Sequence, residues 1–185
     1  MSAPLDFYSH FVDHLAALSQ RDRGALAVLR RSLSFSPGAY PPAYPYVERF
    51  IPPQSGDQDA LRQALYLVAG LYANHPQHQS GTSLARSFGL LMLDRQSPSI
   101  EKRFIALLST DADGLPELLR QVISLLAADG RSLDYTALLK DLVSWLQPWA
   151  FETRDRMRQG WARDFYRSAP NDTTILASTS EATAA

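Results

Sequence analysis

At 185 residues, with 45% apolar and 20% charged side chains, the chain is large enough to bury its own core as one globular domain. It has no cysteine, which excludes disulfides, thiolate metal sites and cysteine nucleophiles and suits a reducing compartment such as the cytoplasm. A net charge of −1 excludes a whole-molecule basic field, so any attraction to nucleic acid must be local; of the 18 cationic residues, all but Lys102 and Lys140 are arginine.

The first residues, Met1 to Asp6, lack the positive region and apolar core of a signal peptide. No apolar run approaches the ~20 residues of a membrane span. From Leu5 to Leu18, Leu5, Tyr8, Phe11, Val12, Leu15 and Leu18 recur at helical spacing and predict a first amphipathic helix. His10 and His14 lie four apart on it, close enough to share a metal. No third ligand nearby completes a zinc site, and they read as polar-face residues. Arg21 to Ser32 predicts a second helix that fades by Phe35. Leu26, Leu29 and Leu33 share one arc of it, and Arg23, Ala27, Arg30 and Arg31 an adjacent one. On this reading Arg30 and Arg31 point to solvent and neither is needed for packing. Three guanidiniums on one arc suit phosphates, which accept from the planar fork in pairs.

Residues 36–56 hold six prolines, a density that argues against regular helix and sheet. Tyr40, Tyr44, Tyr46 and Phe50 within this loop are expected to anchor it to the surface rather than to stack on bases beside Arg49. Asp59 to Asn74 is apolar almost all round, which marks a central helix, and Gly70 suits a close helix crossing. Thr82 or Ser83 is placed to cap a helix over Leu84–Leu93 carrying Arg86. Ser99 is expected to cap Ile100–Leu108, with Lys102 and Arg103 outside the buried stripe. Pro116 opens a helix through Leu126, with Arg120 off the stripe. Asp134 or Ser132 starts Tyr135–Leu146. Pro148 kinks or restarts a final helix to about Arg167, carrying Arg154, Arg156 and Arg158 and packed by Trp149, Trp161, Phe165 and Tyr166. The stretch from Ser168 to Ala185 has no periodicity and reads as a disordered tail. No convincing strand appears. The expected fold is all-α, a compact bundle of about eight helices in a domain spanning 1–167, or two packed helical halves.

The chain shows no Walker loop, Rossmann glycine pattern or nucleophile elbow. The histidines, at 10, 14, 75 and 78, are spread over unrelated segments, and the carboxylates form no local cluster for a two-metal nuclease. No catalytic residue, metal or cofactor is expected.

Six short motifs in order give the chain a family likeness. They are Arg23-Gly-x-x-Ala-x-x-Leu-Arg-Arg31; the Pro/Tyr loop with the apolar Ala64–Gly70 helix; Gly81-x-Ser-Leu84-Ala-Arg86-x-Phe88; Ser99-x-Glu101-Lys-Arg103-Phe104-x-x-Leu-Leu108; Leu118-Leu-Arg120 with the Asp134-Tyr-x-x-Leu-Leu helix; and Trp161-x-x-x-Phe165-Tyr166. Over residues 5 to 167 this order resembles the CasB family, the small subunit of the type I-E CRISPR surveillance complex, Cascade. One departure is Ala85, where many members would have glycine.

The resemblance implies an all-helical, non-enzymatic subunit present in two copies, contacting other Cascade subunits, guide RNA and target DNA. In that role it would stabilise the opened target strands through basic surface residues. Matching motif by motif carries the binding role to Arg30, Arg31, Lys102, Arg103 and Arg120, and to Arg23 and Arg86. Charge density adds Arg154, Arg156 and Arg158. Strand exchange trades one duplex for another of similar stability, so backbone contacts without base readout can tip it. Two other readings remain: a helical adaptor whose arginines bind acidic protein surfaces, and a helical regulator reading duplex DNA, for which no compact helix-turn-helix is evident.

Overall fold

The computed structural model describes residues 5–168, with side chains from residue 7. Nine α-helices occur among the described residues: α1 (Leu5–Arg21), α2 (Arg23–Ser32), α3 (Tyr44–Val47), α4 (Ala60–Asn74), α5 (Leu84–Arg95), α6 (Pro98–Ser109), α7 (Leu115–Ala128), α8 (Tyr135–Leu146) and α9 (Phe151–Ser168). Among the described residues no sheet forms, and a single parallel bridge joins His78 to Leu133.

The caps set the boundaries. Asp22, Asp59, Ser83 and Asp134 each accept a bond from the amide three residues on, satisfying one of the free donors at the starts of α2, α4, α5 and α8. The expected Ser99 cap is displaced. Helix α6 begins at Pro98, whose fixed φ and missing N–H suit the first helical turn. Ser168, expected in the tail, is the last residue of α9; the rest of that tail, 169–185, lies outside the described residues.

The proline loop is more ordered than the proline count predicts. Pro41–Ala43 and Glu48–Phe50 form 3₁₀ turns on either side of α3. Prolines in the first turn lack only an N–H that would have been unbonded there, so Pro41, Pro42 and Pro45 start the first 3₁₀ turn and α3 instead of breaking them. Ala43, Val47 and Phe50 are buried, and the loop is clipped to α4 by Glu48. That carboxylate takes a two-pronged bond from Arg62 (Nη2–Oε1 2.7 Å, Nη1–Oε2 3.0 Å) and a third from the Tyr66 hydroxyl at 2.6 Å. The Arg62 fork, ahead of Tyr66, holds Glu48 below the usual carboxylate range.

Helix α4 is the hub. Residues 64–73 are buried without interruption, and α4 packs against α1, α2, α7 and α8. Its crossing with α2 is close because position 70 is glycine: a Cβ there would lie 2.6 Å from Leu33 Cδ2 and 3.2 Å from the Leu29 carbonyl oxygen. Helix α5 is a second centre, against α6, α7 and α9. At its crossing with α9 a Cβ on Gly89 would run into the Phe165 carbonyl oxygen. The buried apolar residues form one continuous cluster from Tyr8 to Phe165.

Trp161 and Phe165 are buried as expected of α9, but two of its expected packing residues are not. Trp149 is 88% exposed, because the chain breaks between α8 and α9 and carries it outward. Tyr166 is 43% exposed, its hydroxyl donating to Glu101 Oε1 at 2.9 Å.

Candidate nucleic-acid interface

Three of the sequence-predicted arginines reach one surface by different routes. Arg103 on α6 and Arg120 on α7 line a cleft of about 320 Å³ together with Gln121, Ser124 and Leu125. The Ser124 hydroxyl donates to the Arg120 carbonyl at 2.8 Å and receives a long bond, 3.4 Å, from Asn74 Nδ2 at the end of α4. One residue earlier, the Ala73 carbonyl oxygen accepts from Arg30 of α2, at 3.2 Å from Nε and 2.9 Å from Nη2. A run of polar contacts therefore leads from Arg30 across the end of α4 to the Arg103–Arg120 cleft.

Arg30 is not the unattached surface residue that its place on the helical wheel suggests. It caps the carbonyl end of α4, where a cation offsets the partial negative charge of the helix terminus. The bond is to a neutral group, so the full positive charge remains. Arg31 is exposed, with no hydrogen bond or ion pair among the described residues. Arg23 opens the same helix, seven residues before Arg30 and so on the same face, about 10 Å along the axis.

Arg120 is held differently. Glu117, one turn earlier, accepts from its Nε at 3.0 Å and its Nη2 at 2.7 Å, and from Gln121 Nε2 at 2.9 Å. Gln121 and then Arg120 keep Glu117 below the usual carboxylate range. A phosphate entering the cleft must compete with this carboxylate for Arg120, while Arg103 opposite makes no such pair among the described residues. Lys102 and Arg103 are both exposed on α6.

The remaining predicted residues do not join this surface by any contact. Arg86 is exposed on the first turn of α5, and the neighbouring cap Ser83 is tied to α9 through Asp164 Oδ2 at 2.6 Å. On α9, Arg154 lies over the Phe151 ring, 5.0 Å from its centre, and Arg156 pairs with Glu152 at 3.5 Å. Arg158 is drawn into the fold: Nη2 donates to the Thr110 carbonyl at 2.8 Å and the guanidinium covers the Trp145 ring. It serves the α6–α8–α9 packing.

Sequence reasoning missed Asn74, Glu117, Gln121 and Ser124. Only the spacing of Glu117 to Arg120, three apart and on one helical face, was a usable signal. The histidines are structural in part: His75 is buried against the Arg131 carbonyl at 2.7 Å, and His78 Nδ1 accepts from the Tyr135 amide at 3.1 Å. Among the described residues no group of three or more His, Asp or Glu is arranged to hold a metal. No helix there is long and apolar enough to cross a membrane.

The helical fold of the described residues is matched among known proteins. The family model for CRISPR-associated protein Cse2 matches residues 25–166. The Cse2 protein of Thermus thermophilus is 39% identical over 165 residues, covering 88% of this chain and 91% of the relative. The crystal structure of CasB from Thermus thermophilus superposes with a TM-score of 0.72 at 40% identity, covering 86% of this chain and 97% of that one. That of M. ruber CasB gives 0.72 at 34% identity, covering 89% and 95%. A chain of a CRISPR RNA-guided surveillance complex shares the fold at TM-score 0.75 and 23% identity, covering 89% and 94%. The chain belongs to the Cse2 family, whose solved members also carry the name CasB.

Proposed function

We propose that this protein is a non-catalytic, cytoplasmic subunit of a type I-E CRISPR surveillance complex. It acts beside the other Cascade subunits and a second copy of itself. There it grips the backbones of guide RNA and target DNA and so stabilises the opened target strands. The observation that carries this reading is the meeting of Arg103 and Arg120, from two different helices, in one cleft beside the Arg30-capped end of α4. Guanidiniums without base-edge partners recognise phosphate and not sequence. Backbone contacts of that kind suffice to bias a strand exchange that is near balance. Family membership and the match to a chain of a surveillance complex support the setting.

The test is target-DNA binding by the assembled complex, compared between wild type and a chain carrying Arg103→Glu and Arg120→Glu. Binding should fall at least tenfold while helicity and assembly persist, and the lost affinity should be independent of sequence. Unchanged target binding by a fully assembled variant complex defeats the reading. So does magnesium-dependent cleavage of nucleic acid by the purified chain that survives repurification and disappears with a carboxylate substitution.

A further inference from the structure

A second group of nitrogen-bearing side chains lies away from that cleft, where α1 meets the proline loop. Most arginines with a fixed side chain here are fixed by a carboxylate: Arg62 by Glu48, Arg95 by Asp129, Arg120 by Glu117, Arg131 by Asp94 and Asp129. Arg49 is fixed by a histidine. Its Nη2 donates to His14 Nδ1, and His14 Nε2–H donates in turn to the Tyr46 carbonyl oxygen at 3.0 Å. The tautomer follows from the two partners: an N–H must face the carbonyl, so the lone pair faces the guanidinium. Burial, ahead of every other cause, holds His14 below its ordinary pKa and keeps that lone pair free.

A neutral acceptor orients the guanidinium without cancelling its charge. The Arg49 guanidinium lies over the Phe50 ring, 5.0 Å from its centre, which gives it a second point of support. His10 meets the same ring at 5.6 Å and is exposed. Together they line an open cleft of about 760 Å³ with Phe7, Ile51, Pro52 and Pro53, and no carboxylate lines it among the described residues. Phe50 itself is 8% exposed, so the ring is a floor for the guanidinium and not a platform for a base.

We propose that Arg49, oriented by His14 and flanked by His10, is a second contact point for a phosphate of a single-stranded nucleic-acid backbone. The inference rests on the nucleic-acid reading above. Among the described residues Arg49 Nε and Nη1 make no hydrogen bond, which leaves planar donors for phosphate oxygens, and His10 adds one more. The site is built from α1 and the proline loop, so it and the α6–α7 cleft can be disabled separately.

The test uses the full chain and a fluorescein-labelled single-stranded oligonucleotide, with affinity read by anisotropy across a salt series. Arg49→Ala should weaken binding several-fold. It should also lower the slope of log affinity against log salt by about 0.7, the loss of one phosphate contact on a single strand. Arg49→Lys, which keeps the charge but not the fork, should restore the slope and only part of the affinity. The ring-nitrogen NMR signals of His10 and His14 in the wild type should move on adding the oligonucleotide.

If Arg49→Ala binds with wild-type affinity and slope while Arg103→Ala/Arg120→Ala loses binding, this site is overturned and the cleft stands. If the wild-type chain does not bind even at low salt, the Arg49 site is overturned, and the cleft stands or falls by target binding of the assembled complex. Histidine signals that move with inorganic phosphate and ignore the oligonucleotide overturn the backbone as the ligand. Signals that move with neither overturn the site, whatever the folding of the Arg49 variants.

Discussion

Arg30 is seated on the last turn of α4, its Nη2 2.9 Å from the carbonyl oxygen of Ala73, forty-three residues further along the chain. Its neighbour Arg31 makes no such bond, so two adjacent arginines have different roles. Arg31→Glu should leave the melting curve within about 0.5 kcal/mol of wild type, as exposed substitutions usually do. Arg30→Ala should cost about 1.5–3 kcal/mol, the worth of a hydrogen bond from a charged donor. Denaturant titration of each single variant checks both; equal effects would mean the cap contributes nothing.

The core beneath these arginines should respond in the opposite way. Leu29 is fully buried, and Leu29→Ala should cost roughly 2–5 kcal/mol with affinity per folded molecule unchanged. Gly70→Ala forces a methyl against Leu33 and should cost roughly 1–3 kcal/mol by overpacking the α2–α4 crossing.

Asp141 is half-buried, and its Oδ2 accepts from Trp161 Nε1 at 2.6 Å. Burial, the largest cause, raises its pKa above the ordinary value despite that bond. A carboxyl with a raised native pKa binds its proton more tightly when folded. Its contribution to stability is therefore full below the unfolded value, about 3.9, and shrinks as pH rises through the native value. Asp141→Asn keeps an acceptor for Trp161 and removes the titration. The stability of the variant relative to wild type should increase as pH rises from about 4 and then level off. A difference that stays constant across that range would contradict the assignment.

Glu117 occupies the donors of Arg120 that a phosphate would use. Glu117→Gln should therefore tighten nucleic-acid binding a few-fold and steepen its salt dependence. Arg120→Ala should weaken binding and make the further change at Glu117 nearly silent. Anisotropy titrations of the two single variants and the double variant decide it.

The long elements were legible because their signals are local. The all-round apolar run of α4, the Pro116 start of α7 and the Asp134 cap of α8 each sit within a few residues of what they determine. The turns at 41–50 were hidden because proline breaks a long helix and starts a short one, and composition alone does not separate the two. Trp149 reads as a packing residue in any sequence; its exposure follows from the chain break that precedes α9. For the arginines, the sequence showed which faces are basic. Which guanidiniums are already engaged depends on groups far along the chain, such as Ala73 for Arg30 and Thr110 for Arg158.

The end of α4 has a consequence for how the molecule moves. A helix terminus ordinarily frays because its last carbonyls are unbonded. Here Arg30 from α2 holds Ala73, Asn74 reaches Ser124 of α7, and the Tyr135 hydroxyl of α8 meets the carbonyl oxygens of Leu71 and His75 at 3.3 and 2.7 Å. Three helices thus converge on one turn. Its backbone amides should exchange with solvent about as slowly as those of the buried centre, and release of any one clamp should speed exchange across the whole turn. The arginine cleft thus sits beside a turn held from three helices, and any backbone contact made there would bear on all three together.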